Sequence, residues 1–117
     1  MNKDIHPIYH NEFGIAFQWK RNIGNKGFNK TQIVFRDMGF YLSIDDIKKF
    51  EKSIKVAYSC KNCNCCNKEG RYILLRTPSD KVDIAVSEKE LDQVQDLIKG
   101  TLFQLQLESY IKNICTN

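Results

Sequence analysis

Large apolar side chains alternate with small or polar ones through Phe13-Gly-Ile-Ala-Phe-Gln-Trp19, so Phe13, Ile15, Phe17 and Trp19 share one face at period two. That alternation predicts a half-buried strand. The glycines and asparagines between Arg21 and Asn29 predict a loop. Thr31-Gln-Ile-Val-Phe-Arg36 and Gly39-Phe-Tyr-Leu42 then read as two strands around a tight turn at Asp37-Met38-Gly39. From Ser43 the period becomes helical. Ile44, Ile47, Phe50, Ile54 and Ala57 form an apolar stripe, while Lys48, Lys49, Glu51, Lys52 and Lys55 are left for solvent. Ser43 and Asp46 fit a capping box, the hydroxyl accepting a free first-turn N–H and the carboxylate facing the positive helix end.

The same grammar returns further on. Tyr72–Arg76 reads as a strand, Pro78–Lys81 as a turn in which proline presets φ, and Val82–Val86 as a strand with Val82, Ile84 and Val86 on one face. Ser87 and Glu90 form a second capping box, and Leu91, Val94, Leu97 or Ile98, and Leu102 mark a second helical stripe. At a constant offset of 44, Phe40, Leu42, Ser43, Asp46, Ile47, Phe50 and Ile54 map onto Ile84, Val86, Ser87, Glu90, Leu91, Val94 and Ile98.

We read this pattern as an α+β chain of two ββα units. The two hairpins, extended by the Phe13–Trp19 strand, are expected to form an antiparallel sheet of four or five strands covered on one face by two helices. A single domain over 1–117 would hold the first unit at 31–58, a cysteine-rich loop at 59–70 and the second unit at 71–115. In Thr101-Leu-Phe-Gln-Leu-Gln-Leu107, Gly100 is expected to break or bend the helix just before the tract. Leu102, Phe103, Leu105 and Leu107 exceed what one face can bury, so the tract either crosses the core or presents a homodimer surface.

Composition narrows the setting. With 117 residues, 42% apolar and 27% charged, the chain can bury a core and is not disordered. No apolar run approaches the roughly 20 residues needed to cross a bilayer, so no membrane partner is expected. Met1–Pro7 lacks the apolar stretch of a secretion signal, which points to the cytoplasm. The five cysteines are odd in number and four crowd into Cys60–Cys66, which favours reduced thiols over a disulfide framework. The net charge of +4 is uneven: residues 20–76 hold 13 Lys/Arg against 5 Asp/Glu, and residues 77–117 hold 4 against 7. Such polarity could steer an anionic partner or favour antiparallel self-association.

The cysteines are the first candidates for chemistry. In Cys60-Lys-Asn-Cys63-Asn-Cys65-Cys66, Cys60 and Cys63 have the spacing of a zinc knuckle, in which two thiolates on one turn reach a tetrahedral ion. No second C-x-x-C completes it, so a zinc site would draw two or three ligands from Cys60, Cys63, Cys65 and Cys66 and add His6, His10 or Cys115. An equally weighted reading is a polar loop whose cysteines act only as small hydrophobes. Redox use is the weaker alternative: the cluster follows a helix, whose negative end favours the thiol over the thiolate. Lys20, Arg21, Lys26 and Lys30, with Trp19 and Phe28 interleaved, fit a single-strand nucleic-acid binder. Nucleic acid nonetheless ranks as an unlikely partner, because Trp19 reads as core and the pI of 8.8 lies below the usual threshold of about 9. Asp45, Asp46, Glu88 and Glu90 sit in first helical turns, where the dipole accounts for them.

The Cys63-Asn-Cys-Cys66 cluster, a following strand and the Val86-Ser-x-x-Glu90 helix start resemble a family of small uncharacterised bacterial proteins, over roughly residues 31–115. That family has no assigned activity, so the resemblance implies no site residue. The leading expectation is a non-enzymatic interaction or regulatory module, homodimeric through the C-terminal apolar tract, with a zinc site at the cysteine loop. The rivals are a thiol- or metal-dependent enzyme using the same cysteines, and a weak nucleic-acid binder using residues 20–30.

Overall fold

A computed structural model describes residues 4–20, 30–60 and 70–115. Six strands and two helices follow in the order β1 (Ile5–His10), β2 (Gly14–Trp19), β3 (Thr31–Phe35), β4 (Met38–Leu42), α1 (Ile44–Cys60), β5 (Ile73–Arg76), β6 (Asp83–Val86) and α2 (Glu88–Cys115). The chain is α+β. Strands β1-β2-β3-β4 form an antiparallel meander, and β5-β6 form a separate two-stranded sheet. The expected single sheet is therefore divided in two. The hairpins also differ: β3 and β4 are joined by Arg36-Asp37 alone, whereas residues 77–82 separate β5 from β6.

Both helix starts form as the serines predict. Asp46 N–H donates to Ser43 Oγ and Ser43 N–H to Asp46 Oδ2, both at 3.2 Å. At α2 the equivalent Ser87–Glu90 bonds are 3.0 and 3.1 Å. Each box satisfies two N–H groups that the helix cannot, and holds a carboxylate at the positive end. Behind them Ile47, Phe50, Ile54 and Ala57 of α1 and Leu91, Val94, Leu97, Ile98, Leu102 and Leu105 of α2 are buried, whereas Ile44, expected in the first stripe, is exposed.

The β3–β4 turn lies one residue earlier than the glycine suggests. Arg36 and Asp37 take φ of 49° and 63°, so two non-glycine residues adopt the left-handed geometry of a two-residue hairpin. Gly39 lies within β4, opposite Val34. The strained turn is tied down: Arg36 Nη1 donates to the Ala85 carbonyl at 2.6 Å, linking the hairpin tip to β6 and so one sheet to the other.

The alternation in β2 is present, but its large residues turn the other way. Gly14 and Ala16, paired with Phe35 and Ile33, face the helices. A Cβ at Gly14 would strike the Val34 carbonyl and lie 3.2 Å from Leu97 Cδ2, so small residues let α2 close onto the sheet. Ile15, Phe17 and Trp19 occupy the opposite face, where Phe17 and Trp19 meet edge to face at 5.2 Å. Trp19 is thus not a residue of the core between sheet and helices. That core is instead centred on Phe35, which stacks on Phe13 at 5.1 Å and Phe50 at 6.2 Å.

Gly100 does not interrupt α2, which runs unbroken for 28 residues. Its role is close approach: a Cβ there would lie 2.5 and 2.6 Å from Tyr9 Cε2 and Cε1. The helix accepts a poor helix former so that a strand can lie against it.

Candidate functional site

β1 runs along α2 and is fastened to it at three levels. His6 Nε2 lies 3.1 Å from Glu108 Oε1. Tyr9 Oη donates to both Asp96 carboxylate oxygens at 3.0 Å, and this acceptor carboxylate holds the phenol above its ordinary pKa. Asn11 Nδ2 donates to the Gln93 carbonyl at 2.8 Å and to Asp96 Oδ2 at 2.9 Å. Its Oδ1 accepts from the Phe13 and Gly14 N–H groups, shaping the β1–β2 turn. On the other flank, Tyr58 of α1 donates to Asp92 and, at 3.1 Å, to Gln95; burial first and the Asp92 hydrogen bond second push its pKa up. The helices are consequently antiparallel, the end of α1 beside the start of α2.

These bonds decide where the predicted ligands go. A register shift between Pro7 and Tyr9 reverses the parity of β1. His6 and Tyr9, paired with Gln18 and Ala16, turn toward α2, while His10, paired with Ile15, turns to the other face. The H-x3-H spacing therefore does not bring the two histidines together. Cys60 and Cys115 are the last residues of α1 and α2, and Cys63, Cys65 and Cys66 lie outside the described residues. Among the described residues no three His, Cys, Asp or Glu side chains gather as a metal site would need. Of the basic loop, Arg21, Lys26 and Phe28 also lie outside; Lys20 is exposed, and Lys30 Nζ sits 5.5 Å from the Tyr41 ring centre.

Acids at the start of α2 are engaged. Glu90 receives Arg71 Nε at 2.8 Å and Nη2 at 3.1 Å. Burial acts to raise its pKa, but the bonds from Arg71 and the Ser87 N–H, with the charges of Arg71 and Arg36, outweigh it and hold the carboxyl below its ordinary range. Glu88 accepts from Tyr72, Asp92 from Tyr58, and Asp96 from Tyr9 and Asn11.

Two surfaces stand out among the described residues. From Gln106 to Ile111 every side chain of α2 is exposed, and Leu105 is the last buried side chain of α2 among the described residues. Phe103, Leu107, Tyr110 and Ile111, at 61, 39, 64 and 51% exposure, recur at helical spacing on the side turned away from Ile98 and Leu105. The second surface is a groove of about 380 Å³ between the helices, lined by Lys48, Glu51, Lys52 and Lys55 of α1 and Lys99, Leu102, Phe103 and Gln106 of α2. The surplus of large apolar residues had marked the first surface in the sequence. Nothing had marked the second, whose walls lie some fifty positions apart.

Among the described residues no helix is long and apolar enough to cross a membrane. Comparison with family models, with curated proteins and with solved structures gave no match.

Proposed function

We propose that this protein is an interaction module that self-associates through the outer face of the C-terminal half of α2. The observation that carries the reading is the exposed line Phe103–Leu107–Tyr110–Ile111 on a helix that has outrun its core. Past Leu105 the helix extends ten residues, about 15 Å at 1.5 Å per residue. Helices of that length gain most of their stability from packing, so a docked partner suits this one. The four side chains expose on the order of 400 Å² of apolar surface, the scale at which a patch marks an interaction site. Two copies laid face to face would bury about twice that, below the roughly 1,200 Å² at which standard specific interfaces begin, which fits a weak, reversible dimer rather than an obligate one.

Sedimentation velocity across a dilution series tests self-association. Wild type should shift from dimer to monomer on dilution, and the Leu107→Glu/Ile111→Glu variant should stay monomeric with unchanged helix content. A wild type that remains monomeric at the highest concentration, or a variant that still dimerises, removes the proposal. We further read β3-β4-α1 and β5-β6-α2 as descendants of one duplicated unit. Phe40, Leu42, Ile47, Phe50 and Ile54 and their counterparts 44 positions on all pack in or against the core, which supports that reading.

A further inference from the structure

We propose that the groove between α1 and α2 receives an acidic amphipathic segment of a partner protein. Lys48, Lys52 and Lys55 fall at helical spacing on one wall, spanning about 10 Å, and Lys99 faces them from the other. None of the four forms an ion pair among the described residues, and Glu51 is the only acid in the lining. Clustered cations repel one another and raise a local positive potential that attracts and orients an anionic partner. The wall is also apolar: Leu102 is buried and Phe103 is 61% exposed beside the lysines. A segment with carboxylates along its edges and an apolar side chain between them would satisfy both features at once, in the manner of a helix laid into a groove.

Neither the C-terminal tail nor the start of α2 in a second copy suits that segment. Residues 101–117 contain one acid, Glu108, and one base, Lys112, so the tail of a second copy would leave the lysines unmatched. The acidic start of α2 is unsuited as well, because Glu88, Glu90, Asp92 and Asp96 are already bonded to Tyr72, Arg71, Tyr58 and Tyr9. A nucleic-acid strand fits less well, since Glu51 lies among the lysines and would oppose its phosphates. This groove adjoins the Leu107–Ile111 face used in self-association and shares Phe103 with it.

The test uses a fluorescent helical peptide of about 20 residues, glutamate on one face and leucine on the other, with a scrambled isomer and an oligothymidylate as comparators. Anisotropy should show micromolar binding, at least about tenfold weaker in Lys52→Glu/Lys55→Glu, weaker in high salt and weaker for the scrambled isomer. Both lysines are exposed, so the variant should keep its fold. Leu107→Glu/Ile111→Glu should bind the peptide as wild type does at dilutions where wild type is monomeric, which separates this proposal from the dimer. Absence of binding, indifference to the charge reversal, equal binding of the scrambled isomer, or tighter lysine-dependent binding of the oligothymidylate would each overturn it.

Discussion

Replacing Gly100 by alanine sets two opposing effects against each other. In a helix interior alanine is better than glycine by about 1 kcal/mol, so a free helix would gain. Here the added methyl would overlap the Tyr9 ring, with Cε1 only 2.6 Å away, where ordinary contact begins near 3.4 Å. The ring is not free to retreat, because Tyr9 Oη is bonded to Asp96 on the same helix. Overpacking of this kind costs about 1–3 kcal/mol, and loss of the phenol bond about 1 more. We expect a net loss of about 1–2 kcal/mol, read as a lower urea midpoint with an unchanged slope. In a Tyr9→Ala background the obstacle is gone, and the same substitution should instead stabilise by up to about 1 kcal/mol. The sign reversal is the signature of the strand–helix contact. A Gly100→Ala protein more stable than wild type would refute the reasoning, as would identical effects in the two backgrounds.

Asn11→Asp keeps the acceptor for Phe13 and Gly14 but replaces the donor to Gln93 and Asp96 with a second carboxylate oxygen; thermal melts should fall by more than for Asn11→Ala, which creates no repulsion. For Glu90, whose pKa lies below its ordinary 4.5, the ionised form is favoured by folding. Its contribution is complete above the unfolded-state pKa and fades as the pH falls through the lowered value, so wild type and Glu90→Gln should differ in stability near neutrality and converge in acid. Convergence on the alkaline side instead would contradict the assignment. If two or three of Cys60, Cys63, Cys65 and Cys66 hold zinc with His6, His10 or Cys115, protein purified without added metal should carry close to one equivalent and lose it to a chelator; a small fraction of an equivalent would discard the site.

The sequence made the helices legible because their signals are local. A serine cap, a carboxylate three residues on and a stripe at 3.6-residue spacing all lie within a few turns, and Ser43 and Ser87 both perform as read. What failed to show depends on distant partners. β1 escapes notice because the shift between Pro7 and Tyr9 breaks its alternation, and Pro7 is tolerated because β1 is an edge strand. β2 keeps its period yet faces the other way, since the approach of Leu97 selects Gly14 and Ala16 for the helix side. Gly100 reads as a helix breaker until Tyr9 is placed beside it. The same holds for the surfaces. Excess leucines announce an exposed face within one segment, whereas a groove shared by α1 and α2 has no signature in either helix alone.

The bonds from β1 to α2 span 102, 87 and 82 positions of sequence. β1 can pair with β2 almost at once, but its helix-facing side stays wet until α2 has been made. During synthesis Ile8 and Ala16 are consequently left on an open sheet awaiting α2. A nascent chain halted before α2 should therefore bind chaperones through that sheet, and emergence of α2 should end the exposure.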